Sequence, residues 1–218
     1  MDILEVELHS SDITATEKFY KKILDVEPYH KEQQTLLFYQ IGGTKLIFKA
    51  TSNRKPVYHF AIEIPNNLFL EAYRVIKERV ELLPVQTGGT IADFANWNAK
   101  SFYFYDNNGN IVEVITRNSK KNSGSMPFTN ESFINISEIG FADDNVPALA
   151  AYLWQEFGIP NYINQPPRDN FTVVGNENGL FILAQKGRHW YPTAVQSHQY
   201  PLRVLFINDG NVNHIIRE

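Results

Sequence analysis

The chain has 218 residues, 43% of them hydrophobic and 20% charged, enough to bury one substantial core or two smaller ones. A formal net charge of -4, with basic residues scattered apart from Lys120-Lys121, gives no electrostatic footprint for nucleic acid or an anionic membrane, and the lack of cysteine removes disulfide and thiolate chemistry. Acidic residues stand at the N-terminus where a signal peptide would be basic and no stretch reads as a membrane span, so the expected location is the cytoplasm.

Residues 3 to 8 alternate strictly: Leu4, Val6 and Leu8 form one apolar face, and Glu5, Glu7 and His9 a polar one, the pattern of a half-buried strand. Asp12 can cap a helix whose apolar stripe is Ala15, Phe19, Tyr20, Ile23 and Leu24. Residues 36 to 41 and 44 to 50 flank Gly42-Gly43 and read as a hairpin. The plan then recurs, with a strand at 57 to 64, a helix at about 67 to 80, and a hairpin of 101 to 105 and 111 to 116 around Asp106-Asn107-Asn108-Gly109. A third copy has a strand at 135 to 142, a helix at about 146 to 157 and strands near 171 to 175 and 179 to 184. Residues 202 to 207 read as the first strand of a fourth unit that ends after Asp209.

The fold class expected is α+β, built of repeated βαβββ units: two paired into a cupped incomplete barrel, then a third and a fragment of a fourth. The polar, Ser- and Gly-containing stretch at 118 to 133 is the best linker. It divides a domain of two units at 1 to 117 from a third unit with an extra C-terminal strand at 134 to 218. The first strands of the three units carry Glu5, His59 and Glu138 at equivalent positions.

The unit order resembles the vicinal oxygen chelate superfamily, which includes glyoxalase I, fosfomycin-resistance enzymes, bleomycin-binding proteins and extradiol ring-cleaving dioxygenases. Carrying the resemblance are Asp12, the Phe19-Tyr20 pair, the strand Tyr58-His59-Phe60-Ala61 and the run from Phe102 through Tyr105-Asp106-Asn107-Asn108-Gly109 to Glu113. It covers 1 to 117 well and 134 to 207 more weakly. It implies a divalent metal (Zn, Mn, Ni, Fe(II) or Mg) held on a concave face by Glu5, His59 and Glu113, and strand parity independently turns all three away from the helices.

Two departures narrow that implication. Most metal-dependent relatives have His where this chain has Glu5, which demotes ring cleavage, and Ile47 stands where a fourth ligand would be. Glu138 aligns with Glu5 but has no second ligand in its own unit, so a solvated or hydrogen-bonded role is expected of it.

Tyr103, Glu7 and His9 are the candidate proton carriers, Tyr103 lying ten positions before Glu113 where ring-cleaving relatives also carry a tyrosine. Tyr105, Trp97 and Arg117 are the candidate substrate contacts, Arg117 for an anionic group. Against each stands a plainer reading, in which the aromatics pack, Trp97 anchors a turn and Arg117 is solvated. Residues 187 to 192 are a ring-rich loop that either caps a pocket or anchors the chain. No phosphate loop, dinucleotide fingerprint or nucleophile elbow is present.

The resemblance implies an enzyme acting on a small oxygen-bearing molecule as a lyase, isomerase or dioxygenase. The alternative is a small-molecule sequestering protein of the bleomycin-resistance type. A small-molecule ligand is the expected partner, with no nucleic acid or membrane. A homodimer is expected because a third unit left alone would expose an open sheet face, unless the late loop covers it.

Overall fold

A computed structural model describes residues 1–52, 55–86 and 88–218. It is a mixed α+β molecule built from βαβββ units. The first unit comprises β1 (Asp2–Ser10), α1 (Ile13–Leu24), β2 (His30–Glu32), β3 (Leu36–Ile41) and β4 (Thr44–Ala50). The second comprises β5 (His59–Glu63), α2 (Phe69–Lys77), β6 (Ala92–Phe94), β7 (Ala99–Tyr105) and β8 (Ile111–Arg117). The third has β9 (Asn135–Asp143), α3 (Val146–Phe157), β10 (Phe171–Asn176) and β11 (Gly179–Gln185), and the chain ends in β12 (Leu202–Asn208) and β13 (Asn211–Arg217).

Local chemistry explains most boundaries. The Asp12 carboxylate accepts from the Ala15 amide to cap α1, Asn145 does the same for α3 through Ala148, and α3 stops at Gly158 in the left-handed conformation. Strand β13 is a correction, because the fourth unit does not end after Asp209. Asp209 and Gly210 both take positive φ and make the two-residue hairpin turn that returns the chain alongside β12.

The units pair differently from expectation. The second and third share one seven-stranded sheet in the order β10-β11-β9-β5-β8-β7-β6, joined by antiparallel β5 and β9. The first unit pairs instead with the C-terminal strands in a six-stranded sheet, β13-β12-β1-β4-β3-β2. The expected cup of units one and two is therefore replaced by a cup of units two and three. The third unit is not left alone, which removes the sheet-face argument for a dimer.

Helices and apolar strand faces fill the space between the sheets. Phe19 of α1 stacks on Phe104 of β7, Tyr20 packs on Tyr39 and Phe48 of the other sheet, and Phe157 of α3 meets Phe206 of β12. Phe206 also meets Phe181 of β11, so one core holds both sheets. Tyr20 donates to Asp106, which also accepts from the Asn108 and Asn110 amides, binding α1 to the β7–β8 turn. The far face of the seven-stranded sheet is left for the site.

Candidate metal centre in the seven-stranded cup

Period-two alternation puts Phe60 and Ile62 of β5 and Val112 and Val114 of β8 into the core, which turns His59 and Glu113 into the cup. In β9 a bulge breaks the alternation. Phe60 pairs with Ile139 and Ala61 with Glu138, but Ile62 pairs with Ile136, so one residue is extra. Ile136 and Ile139 both stay in the core, and Ser137 and Glu138 are re-aimed together toward the cup side. Ligand atoms of His59, Glu113 and Glu138 lie within 4.8 Å of one another, and all three residues are buried.

Each member is fastened by one atom and offers another. The Ile111 carbonyl, 3.1 Å from His59 Nδ1, can only accept, so Nδ1 carries the proton and Nε2 a lone pair. Burial lowers the His59 pKa against the opposing pull of Glu138 and the Ile111 carbonyl, so the ring stays neutral. Nε2 stands 3.6 Å from Glu113 Oε2, two electron-rich atoms facing one gap. Glu113 Oε1 accepts from Tyr103 Oη at 2.7 Å, and Glu138 Oε1 from Arg117. An imidazole tautomer fixed by a carbonyl, beside carboxylates each tied at one oxygen, is the donor set that suits a divalent cation.

The electrostatics are those of a crowded acidic pocket. Burial, then Glu113, push the Glu138 pKa up to about 7, with Arg117 and His59 pulling it down. Burial also raises Glu113, against its bonds from Tyr103 and the charge of Arg117. Tyr103 is held well above its ordinary value by burial and Glu113, so its phenol keeps its proton and donates.

The sequence-derived candidates divide accordingly. His59, Glu113 and Tyr103 come together, and Trp97 lines the cavity beside them. Glu5 does not join them: it lies on β1 in the other sheet, where Arg203 at 2.7 Å and Lys45 at 3.5 Å pair with it. Glu7 is on the same strand, paired with Arg203 at 3.1 Å, and His9 follows it there, so neither reaches the cup. Arg117 is not a solvent-facing substrate contact. It is fully buried, bonding Glu63 and Ser137 at 3.1 Å each besides Glu138. Glu63 in turn takes Lys120 at 2.7 Å. Tyr105 shares Tyr103's face but packs at the level of Ile111, away from the cavity.

Glu138 is the member the sequence reading left out, although its equivalence to Glu5 was visible. The missing signal was partnership between units: Glu138 completes a site whose other residues belong to the second unit.

The cavity over the cluster has a volume of about 280 Å³. Residues 186–201 cross it as a strap, with Trp190 5.5 Å from the His59 ring and Tyr191 5.6 Å from the Tyr103 ring. Gly140 on β9 makes room for the indole, since a Cβ there would meet Trp190 Cη2 at 2.7 Å. Phe94 and Trp97, on β6 and the short helix after it, continue this aromatic lining, Phe94 5.8 Å from the Tyr191 ring and Trp97 edge-on to Tyr162. Ile182 of β11, also in the cavity, occupies the place in the third unit that Glu113 holds in the second, so the symmetric fourth donor is apolar.

Repeated βαβββ units paired around a cup are the fold that the sequence resemblance implies. A solved structure shares this fold over nearly the whole chain. A candidate dioxygenase from Bacillus subtilis subsp. subtilis str. 168 matches over 99% of this chain and 84% of its own, with a TM-score of 0.63 and 12% identity. Half-length matches include a lactoylglutathione lyase from Agrobacterium tumefaciens (22% identity, 52% of this chain and 92% of its own, TM-score 0.43). Another is a glyoxalase/bleomycin resistance protein/dioxygenase from Nocardioides (18%, 58% and 90%, 0.44). No protein-family model matches the chain, and no curated protein matches it. Among the described residues no helix is long and apolar enough to cross a membrane.

Proposed function

We propose that the protein is a metal-dependent enzyme of the vicinal oxygen chelate type, acting on a small oxygen-bearing molecule in the seven-stranded cup. His59 Nε2 and one oxygen each from Glu113 and Glu138 would hold a divalent cation. The observation that carries this reading is the gap between a neutral imidazole lone pair and a carboxylate 3.6 Å away, each fixed from behind. When bound, the ion supplies Lewis-acid polarisation of neighbouring substrate oxygens and stabilises negative charge developing on them.

The chain's own residues do the rest. Tyr103 keeps its single Oη proton, which Glu113 holds in the resting site and which could be redirected to a substrate oxygen once substrate enters. Arg117 fixes the Glu138 carboxylate and offsets part of the acidic charge. Trp190 and Tyr191 shield the cup from water, which strengthens these interactions. Glu7 and His9, on the other sheet, take no part.

Elemental analysis of the purified protein tests the reading. About one equivalent of a divalent transition metal or Mg is expected, with affinity falling tenfold or more in Glu113→Gln, Glu138→Gln and His59→Ala. Tyr103→Phe should weaken metal binding less than the ligand variants do and, once loaded with metal, lose turnover by about two orders of magnitude, the scale of a removed general acid. A protein that takes up no divalent metal would favour the sequestering alternative.

A further inference from the structure

The cavity is polarised along its length. Its inner end is the acidic cluster, and its walls are aromatic, with Phe94, Trp97, Tyr103, Phe171, Trp190 and Tyr191 all facing it. Two arginines also line it, Arg168 and Arg188, from different segments. Arg168 and Phe171 close a tight turn with backbone bonds in both directions, 2.9 and 3.2 Å, and the Arg188 guanidinium lies 4.4 Å above the Phe171 ring. The turn before β10 and the strap after β11 thus each bring an arginine to the cavity, with the Arg188 guanidinium over the Phe171 ring.

Neither guanidinium makes an ion pair with a carboxylate among the described residues, and Asp169, next in sequence to Arg168, pairs with neither. Lys186, Arg203 and Arg217, by contrast, each have an acidic partner. Among the described residues the Arg188 guanidinium bonds one carbonyl, that of His189, at 3.3 Å. Burial, then the charge of Arg168, lower the Arg188 pKa, so the two cations are held together against their mutual repulsion. An unneutralised arginine pair on a cavity wall suits an anion, and a planar guanidinium matches a carboxylate with two parallel hydrogen bonds. Trp190, 4% exposed, adds a buried indole N–H with no hydrogen-bond partner among the described residues.

We propose that the cavity binds a small aromatic carboxylate, its ring between the aromatic walls, its carboxylate on Arg168 and Arg188, and its opposite oxygen-bearing edge toward His59, Glu113 and Glu138. This rests on the same cup being the functional site. A volume of about 280 Å³ suits one substituted ring.

Titration calorimetry with 4-hydroxybenzoate and its uncharged counterpart 4-hydroxybenzamide tests the proposal. The carboxylate is expected to bind at least tenfold tighter, the preference shrinking severalfold in Arg168→Gln and in Arg188→Gln and vanishing in the double variant. A third ligand, 4-hydroxycyclohexanecarboxylate, should bind tenfold more weakly than 4-hydroxybenzoate because it cannot stack. Glu113→Gln should lose metal and keep the preference for carboxylate over amide. Equal affinity of the wild type for carboxylate and amide, or affinity for neither, overturns the proposal whatever the metal content. A metal-free protein that still prefers the carboxylate upholds it and overturns the metal reading alone.

Discussion

Glu138 shows how a single side chain's environment sets measurable behaviour. Its folded pKa, about 7, lies above the ordinary carboxyl value of 4.5 because burial and Glu113 disfavour its charge. Between those values the folded protein holds a proton that the unfolded chain has released, so this group's contribution to stability falls as pH rises through the window. It is most favourable below pH 4.5 and lost above 7, a span of a few kcal/mol in the metal-free protein. His59 acts with the opposite sign: its lowered pKa gives stability that is present above about 6.5 and lost on acidification. Glu138→Gln keeps an acceptor for Arg117 but cannot titrate. The wild-type advantage over this variant, from denaturant midpoints of metal-free protein, should therefore shrink steadily from pH 4.5 to pH 7. A difference that does not change with pH would sink the assignment. Strand parity made His59, Glu113 and Tyr103 legible from sequence, because alternation fixes which face a residue takes. It could not reveal that Arg117 is buried, since that depends on Glu63 and Glu138 arriving from other strands.

At the scale of elements, the repeat itself was legible, along with nearly every helix and hairpin, because caps, glycine turns and apolar periods are local signals. The short strands β2 and β6 carry only three residues each and no clear period. β13 had a usable signal in Asp209-Gly210, a two-residue hairpin turn. The bulges are a subtler feature. β1 shifts register between Ile3 and Glu5 as β9 does around Ser137, with the same spacing of core residues, Ile3 and Val6 in one and Ile136 and Ile139 in the other. Glu5 and Glu138 are thus re-aimed by the same device, but one meets Arg203 and Lys45 and the other meets His59. Gly140, two residues past Glu138, lets the strap lie against the sheet. Gly140→Ala should push Trp190 off His59 at a cost of about 1 to 3 kcal/mol, the scale of an overpacked core. A red shift of tryptophan emission should accompany the loss. Unchanged emission and melting temperature would mean that the strap does not depend on this close approach.

For the whole molecule, the long-range pairing decides where the site lies, and this is the level at which sequence reasoning failed. Similar units offer similar strand edges, so which of them pair depends on contacts between edges far apart in the chain. Here β1 joins β12 near the C-terminus and β5 joins β9 across residues 118–133, so neither sheet is complete within 1–117 or 134–218. Tyr58 Oη also reaches the Pro201 carbonyl at 2.6 Å, and the Gly43 amide bonds the Ile134 carbonyl at 2.7 Å, tying opposite ends across the apparent linker. Cutting at 118–133 would bare the inner edges of β1 and β5 and uncover core residues such as Phe60 and Val6. We therefore propose that the chain folds as one cooperative unit rather than as two domains joined by a linker. A fragment of residues 1–133 should be insoluble or lack a sharp thermal transition, and its near-ultraviolet dichroism should be that of an unpacked chain. Mixing it with residues 134–218 should restore the native signal. A monomeric 1–133 fragment with a cooperative transition of its own would show that the first two units are self-sufficient, and that the pairing across the linker follows folding rather than drives it.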